Sequence, residues 1–277
     1  MPVAITVAAA DESEAGRQGI KAALAWSVPL DATVTLFHVL PRASAAALTL
    51  TGGGRERAHG GDSLSALESW VAAEVGERGE QAVPTIEAGY GLPGVEIPRF
   101  AEQTGAGLIV VGRKPRSLAQ RLYEGDTADA VARRSTVPCL FVRRPLQVPS
   151  RILVAVDGTE RGMRVLQFAL AIATRLRSRL GGVIVERLHP GEPTGLAASV
   201  PTARTAALQR RLDGAVEPLL VRHGHPSTEI LRAADDVGAD VIVIGYRRGG
   251  PPGLIEAGSV ARYVAHHALC AVLTVPL

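Results

Sequence analysis

Short runs of β-branched residues alternate with stretches of helical periodicity along the whole chain. One such succession opens with Ile152 to Val156, an unbroken apolar run that stops at Asp157-Gly158. A run of this kind, with no polar alternation, predicts a strand buried on both faces. Thr159 then predicts the N-cap of a helix reaching about Arg179. Val183 to Val185 predicts the next strand, and His189 to Thr202, rich in Pro and Gly, a loop. Thr205 to Val221 has helical periodicity, with Pro218 set against its end. Ser227 or Thr228 is expected to cap a helix to Val237, and Asp240 leads into the strand Val241 to Ile244. Ser259 begins a last helix and Ala271 to Val275 a last strand. Apolar strands alternating with helices in this way predict an α/β fold with a parallel sheet covered on both faces.

The chain repeats this plan. Shifted by 133 positions, Gly91 falls on Gly224, Pro93 on Pro226, Glu96 on Glu229, Ile97 on Ile230 and Arg99 on Arg232. In the same register Gly105-Ala106 meets Gly238-Ala239, Ile109-Val110 meets Ile242-Val243, Gly112 meets Gly245 and Gly125 meets Gly258. Towards the start of each copy the offset is 146, with Asp11 to Glu14 set against Asp157 to Glu160. The first copy therefore carries about thirteen extra residues, placed in the Gly-rich segment Gly52 to Gly61. At 277 residues there is room for two tandem doubly wound domains, 1–145 and 150–277, joined by a Pro-containing linker over 143–150.

Composition narrows the function. Apolar residues make up 47% and aromatics only 4%, so each core must be built from Ala, Val, Leu and Ile. The net charge is only +3, and no arginine run is interleaved with aromatics, which argues against nucleic acid as a partner. Cys139 and Cys270 form no metal-ligand or disulfide spacing. No apolar run approaches the roughly 20 residues that cross a bilayer, and no basic leader precedes the first strand, so a cytoplasmic location is expected.

In a doubly wound sheet ligands bind at the carboxyl ends of the strands, where the strand order reverses. In the second copy Asp157-Gly158-Thr159, Arg187 to Pro190 and Gly245 to Ser259 should converge there. Gly258-Ser259 lies at a helix start, where backbone N–H groups favour an anion, and Arg247 and Arg248 add charge-assisted donors. A flexible Gly-Pro loop with surface arginines is the other reading of this segment. VAVDGTE at 154–160, GADVIVIG at 238–245 and Gly258-Ser259-Val260 before a helix and an apolar strand resemble universal stress proteins. The resemblance implies a Rossmann-like, adenine-nucleotide α-hydrolase-like fold and a role in stress response or signalling. Family members that bind ATP carry Gly, two residues, Gly, nine residues, Gly and Ser or Thr. Carried over by position, Asp157 contacts the ribose or adenine end, Ile244 and Gly245 line the nucleotide, and Arg247 faces the phosphates. Gly258, Ser259 and Val260 hold those phosphates, with Mg²⁺ as companion ion. The middle glycine of the pattern is Arg248 here, and Arg187 is taken to stand at the apolar adenine position.

The first copy departs further. Asp11 and Gly112 match, but Pro115 stands at the middle glycine and Asp126 at the hydroxyl position, while Val39 keeps the adenine position. A carboxylate at a helix N-terminus would fill the anion site itself, so this copy is not expected to bind ATP tightly. His223-Gly224-His225 reads as loop histidines, His266-His267 as helix-surface residues, His38 as structural, and Asp235, Asp236 and Asp240 as surface or strand-entry residues. No base or metal carboxylate stands out for nucleotide hydrolysis, so any ATPase activity should be slow. Three readings stay open: an adenine-nucleotide sensor working through the second copy, a nucleotide-independent interaction scaffold with both glycine loops vestigial, or a slow ATPase. The resemblance also implies pairing of the two domains within the chain through the final strands around Cys139 and Cys270, a homodimer, and a protein partner of unknown identity.

Overall fold

The computed structural model describes residues 5–8, 13–40, 65–74, 83–113, 127–186, 203–212, 214–247 and 259–277. The chain divides into two compact units, Met1–Gln147 and Val148–Leu277. In the N-terminal unit the strands are β1 (Ile5–Ala8), β2 (Val34–Leu40), β3 (Thr85–Tyr90), β4 (Leu108–Gly112) and β5 (Cys139–Val142). The helices between them are α1 (Glu14–Leu30), α2 (residues 65–74), α3 (Pro93–Gln103) and α4 (Thr127–Arg134). The C-terminal unit repeats the plan with β6 (Arg151–Val156), β7 (Arg179–Glu186), β8 (Leu219–His223), β9 (Val241–Tyr246) and β10 (Ala271–Pro276). Its helices are α5 (Glu160–Leu176), α6 (Ala203–Leu212), α7 (Pro226–Val237) and α8 (Ser259–His267).

Strand order is β3-β2-β1-β4-β5 in the first unit and β8-β7-β6-β9-β10 in the second, parallel at every pairing within each. The order reverses between β1 and β4, and again between β6 and β9. Crossovers of the usual right hand put α1 and α2 on one face and α3 and α4 on the other, in keeping with α1 packing on β4, Arg17 and Lys21 of α1 meeting Trp70 of α2, and α3 packing on α4. The central strands are sealed: Leu108 to Val111, Ile152 to Val154 and Val241 to Val243 are all 1% exposed or less. That explains their unbroken apolar runs.

The duplication reaches backbone detail. Ser13 and Thr159 cap α1 and α5, accepting from Gly16 N–H at 3.3 Å and Gly162 N–H at 3.0 Å. Both helices end on a non-glycine residue in the left-handed region, Asp31 (φ 52°) and Arg177 (φ 55°), 146 positions apart. Gly91 and Gly224, with φ of 148° and 139°, donate to the carbonyls of Leu40 and Glu186, the last residues of β2 and β7. Each glycine lies under a glutamate, Glu96 or Glu229, that pairs with an arginine three residues on, at 3.0 Å to Arg99 and 2.7 Å to Arg232.

Three boundaries differ from the expectation. The helix begun near Thr205 ends at Leu212, and Leu219 to Val221 belongs to β8. Gly214 (φ 73°) turns the chain there, and Pro218 has no N–H to continue a helix. Helix α7 starts at Pro226 with His225 as N-cap, because proline is favoured at the first helical position. Helix α5 stops at Leu176, so β7 begins at Arg179 instead of Val183.

An L-residue in the left-handed region costs about 1 kcal/mol that glycine does not incur. Arg177→Gly is therefore expected to raise the unfolding free energy by about 1 kcal/mol. Urea denaturation followed by circular dichroism tests this; an unchanged or lower midpoint would show that the Arg177 side chain contributes more than its backbone costs.

Candidate functional site

The site of the C-terminal unit is built on the carboxyl ends of β6 and β9. Asp157 follows β6 and is exposed at the start of the turn into α5. Its Oδ1 accepts from the Thr159 N–H at 3.0 Å and from the Thr159 hydroxyl at 2.7 Å, while that hydroxyl caps Gly162. Gly162 has no Cβ because one would stand 2.3 Å from Asp157 Oδ1. Asp, Thr and Gly at this spacing thus form one device, which closes the turn and aims the carboxylate. Gly158, at φ 70°, supplies the bend between them.

Across the switch point, Ile244 is buried in β9, Gly245 is half-buried, and Arg247 is exposed just past the strand. A Cβ on Gly245 would meet Leu277 at 2.6 Å and Val165 at 3.0 Å. Close packing favours a small residue here whether or not a ligand approaches it, since a side chain would have to displace the Leu277 tip and crowd Val165. Ser259, exposed, is the first residue of α8, and Val260 behind it is half-buried. Arg248 and Gly258 lie outside the described residues, as do Arg187 and the 41–62 loop. The structure thus puts Asp157, Gly245, Arg247 and Ser259 on one edge of the sheet. A hydroxyl and N–H groups at a helix start, an arginine and a flanking carboxylate suit a phosphate-bearing ligand with hydroxyl donors at its other end.

Strand register corrects one sequence assignment. Val39 pairs with Gly89 and Val185 with Arg222, and the two pairs are related by the repeat offsets of 146 and 133. The counterpart of Val39 is therefore Val185, not Arg187, and an apolar residue is kept at this strand end in both units. Val39 and Val185 are both half-buried at their strand ends.

The N-terminal unit treats the same edge differently. Asp11, Pro115, Gly125 and Asp126 lie outside the described residues. Gly112, at the end of β4, has α1 pressed against it: a Cβ there would stand 1.7 Å from the Ala15 carbonyl oxygen. The next residue, Arg113, is only 3% exposed. Its guanidinium lies 3.4 Å from Asp129 of α4 and 6.0 Å from the Phe141 ring centre. By the repeat register, Tyr246 and Arg262 replace Arg113 and Asp129 in the C-terminal unit. That paired exchange is the sequence signal that marks the two sites as unlike.

Other candidates resolve into structural roles. His223 is no solvated loop residue: it ends β8, and its Nδ1 lies 3.4 Å from Glu186. His225 caps α7 and meets the Ser227 hydroxyl at 2.8 Å. His267 stacks on Tyr263, Asp236 pairs with Arg222, and Asp240 accepts from Ser150 and Arg151 at the entrance to β6. Among the described residues no His, Cys, Asp and Glu cluster could hold a metal ion, and no helix is long and apolar enough to cross a membrane. An open depression lined by Ser178, Arg179 and Pro218 lies at the amino end of β7, opposite the switch point. Burial pushes the Cys139 thiol up to about 12 and the half-exposed Cys270 thiol up to about 11.

Two consequences can be measured. Asp129→Ala leaves a buried guanidinium without this partner and should cost about 3 kcal/mol of stability; a loss below 1 kcal/mol in urea unfolding would mean that other contacts hold Arg113. Both thiols stay protonated at neutral pH, so neither should react appreciably with a thiol reagent at pH 8 in the folded chain. Reaction should accelerate first at Cys270 as pH nears 11, and rapid labelling at pH 8 would contradict the burial.

The universal stress protein family model matches residues 5–143 and again residues 149–276. A universal stress protein from Archaeoglobus fulgidus DSM 4304 superposes with a TM-score of 0.70 at 19% identity, over 98% of this chain and 95% of its own. One from Pseudomonas aeruginosa UCBPP-PA14 gives 0.67 at 18% identity, over 99% and 92%. No curated protein matches the chain. Two family domains in one chain, each with the same strand order and the same capped turn after its first strand, make this protein a tandem member of the universal stress protein family.

Proposed function

We propose that this chain is a stress-response or signalling protein that binds one adenine nucleotide, in the C-terminal unit, across the carboxyl ends of β6 and β9. The observation that carries the reading is the exposed set of side chains at the switch point of the C-terminal unit. In the C-terminal unit Asp157, Arg247 and Ser259 stand exposed on that edge. In the N-terminal unit the residue after the glycine, Arg113, is buried against Asp129 and an aromatic ring. The counterpart of Arg113 is Tyr246 and that of Arg247 is Lys114, so the weaker binding expected of the N-terminal unit rests on Pro115 and Asp126 at the middle-glycine and hydroxyl positions of the pattern.

In this reading the adenine lies beside Val185, Asp157 takes hydroxyl donors at the ribose end, and Arg247 with the start of α8 at Ser259 and Val260 takes the phosphates. Arg248 and Gly258 complete the loop by position in the sequence. Mg²⁺ would supply charge neutralisation to the polyphosphate, which the chain's own donors then position. No described side chain at this edge is placed as a general base towards the phosphate end, so the chain acts as a binding module and any hydrolysis is slow.

Calorimetric titration of the full chain with ATP and Mg²⁺ tests the proposal. We expect about one nucleotide per chain, at least tenfold weaker in an Asp157→Ala, Ser259→Ala variant that keeps its circular dichroism spectrum. Two nucleotides per chain would reinstate the N-terminal site. No heat with ATP, ADP or AMP would favour a nucleotide-independent scaffold.

A further inference from the structure

The C-terminal unit carries a carboxylate that the N-terminal unit lacks. Glu186 is the last residue of β7, directly after Val185, and its side chain is only 12% exposed. Oε1 accepts from the hydroxyl of Thr205 on α6, and Oε2 lies 3.4 Å from Nδ1 of His223 at the end of β8. Thr205 is itself buried. The carboxylate is therefore held at the carboxyl edge of the sheet instead of swinging into solvent. In the N-terminal unit the corresponding residues are Leu40 and Tyr90, which cannot form this group.

A carboxylate only accepts hydrogen bonds, so what it recognises must bring donors. Strands β6 and β7 with α5 form the first β-α-β unit of the domain, and Glu186 closes its second strand. In doubly wound dinucleotide-binding folds an acid near this place takes the ribose 2′-hydroxyl, because the ligand runs from the first turn across the strand ends. We propose that Glu186, positioned by Thr205 and His223, selects a ribonucleotide over its 2′-deoxy form by accepting a hydrogen bond from the ribose 2′-hydroxyl. The inference rests on the nucleotide reading above and deepens it by naming the sugar. The same negative charge disfavours a nucleotide phosphorylated at the 2′ position.

The experiment is a comparison of ATP with 2′-deoxy-ATP, both with Mg²⁺, on the full chain and on Glu186→Leu and Glu186→Gln. The native chain should prefer ATP by about tenfold or more, the effect of one hydrogen bond to a charged group. Glu186→Leu should bring the ratio close to one, and Glu186→Gln should leave an intermediate preference. A substitution that merely loosened α6 would weaken both ligands alike and keep the ratio, which overturns the proposal. Equal affinity of the native chain for the two nucleotides sinks this inference alone. Binding of neither sinks the nucleotide reading as well.

Discussion

A parallel sheet has no hairpins, so every strand must be reached by a crossover, and the crossover helices must cover both faces. Most of this structure follows from that constraint. It makes the central strands uniformly apolar and leaves Val, Ile and Leu at the sheet core of each unit. It also confines polar chemistry to strand ends and helix starts, where backbone groups and side chains are not enclosed. At the strand-order reversal, neighbouring crossovers leave on opposite faces, which opens a crevice outside the carboxyl ends of β6 and β9.

Comparison of the two copies separates what folding requires from what it leaves free. The capped turn with its glycine, the left-handed helix ends at Asp31 and Arg177, and the glycine-glutamate-arginine groups recur in both units. They satisfy backbone geometry that any chain of this topology needs. The differences fall on the carboxyl edge: Arg113 and Asp129 against Tyr246 and Arg262, and Leu40 and Tyr90 against Glu186 and His223. Exchanges that change charge in pairs mark places where two residues touch, or answer to the same ligand.

The fold was legible in the sequence because its determinants are local and strong. Continuous apolar runs marked the sealed strands, and Thr159 before an amphipathic stretch marked a cap. The second copy allowed each assignment to be checked against the first. The helix-strand boundary near Pro218 was missed because Thr205 to Val221 keeps helical periodicity across a turn that only Gly214 and Pro218 interrupt. Arg187 was set against Val39 by counting past an expected strand end, although the 146 offset of the first elements already pairs Val39 with Val185, as strand register shows. Asp157, Gly245, Arg247 and Ser259 could be placed on one edge from topology alone. The tie between Glu186, Thr205 and His223 could not, since it joins three elements far apart in sequence.

Duplication also bears on why one unit can change its site without losing its fold. Arg113 is buried and Asp129 half-buried, and an ion pair so placed recovers its desolvation cost only with good geometry and further donors. Such a pair is a poor source of net stability, but it holds β4 to α4 across the site. A unit with it need not retain a charged ligand to neutralise its arginine. In the C-terminal unit Tyr246, 4% exposed, takes the place of Arg113, and Arg262 of α8 takes that of Asp129. The exchange gives the N-terminal unit an internal pair and places an arginine, Arg262, on the first turn of α8 in the other, while Arg247 has a basic counterpart in Lys114. The helix start at Ser259 and the exposed Arg247 both favour an anion at the carboxyl ends of β6 and β9.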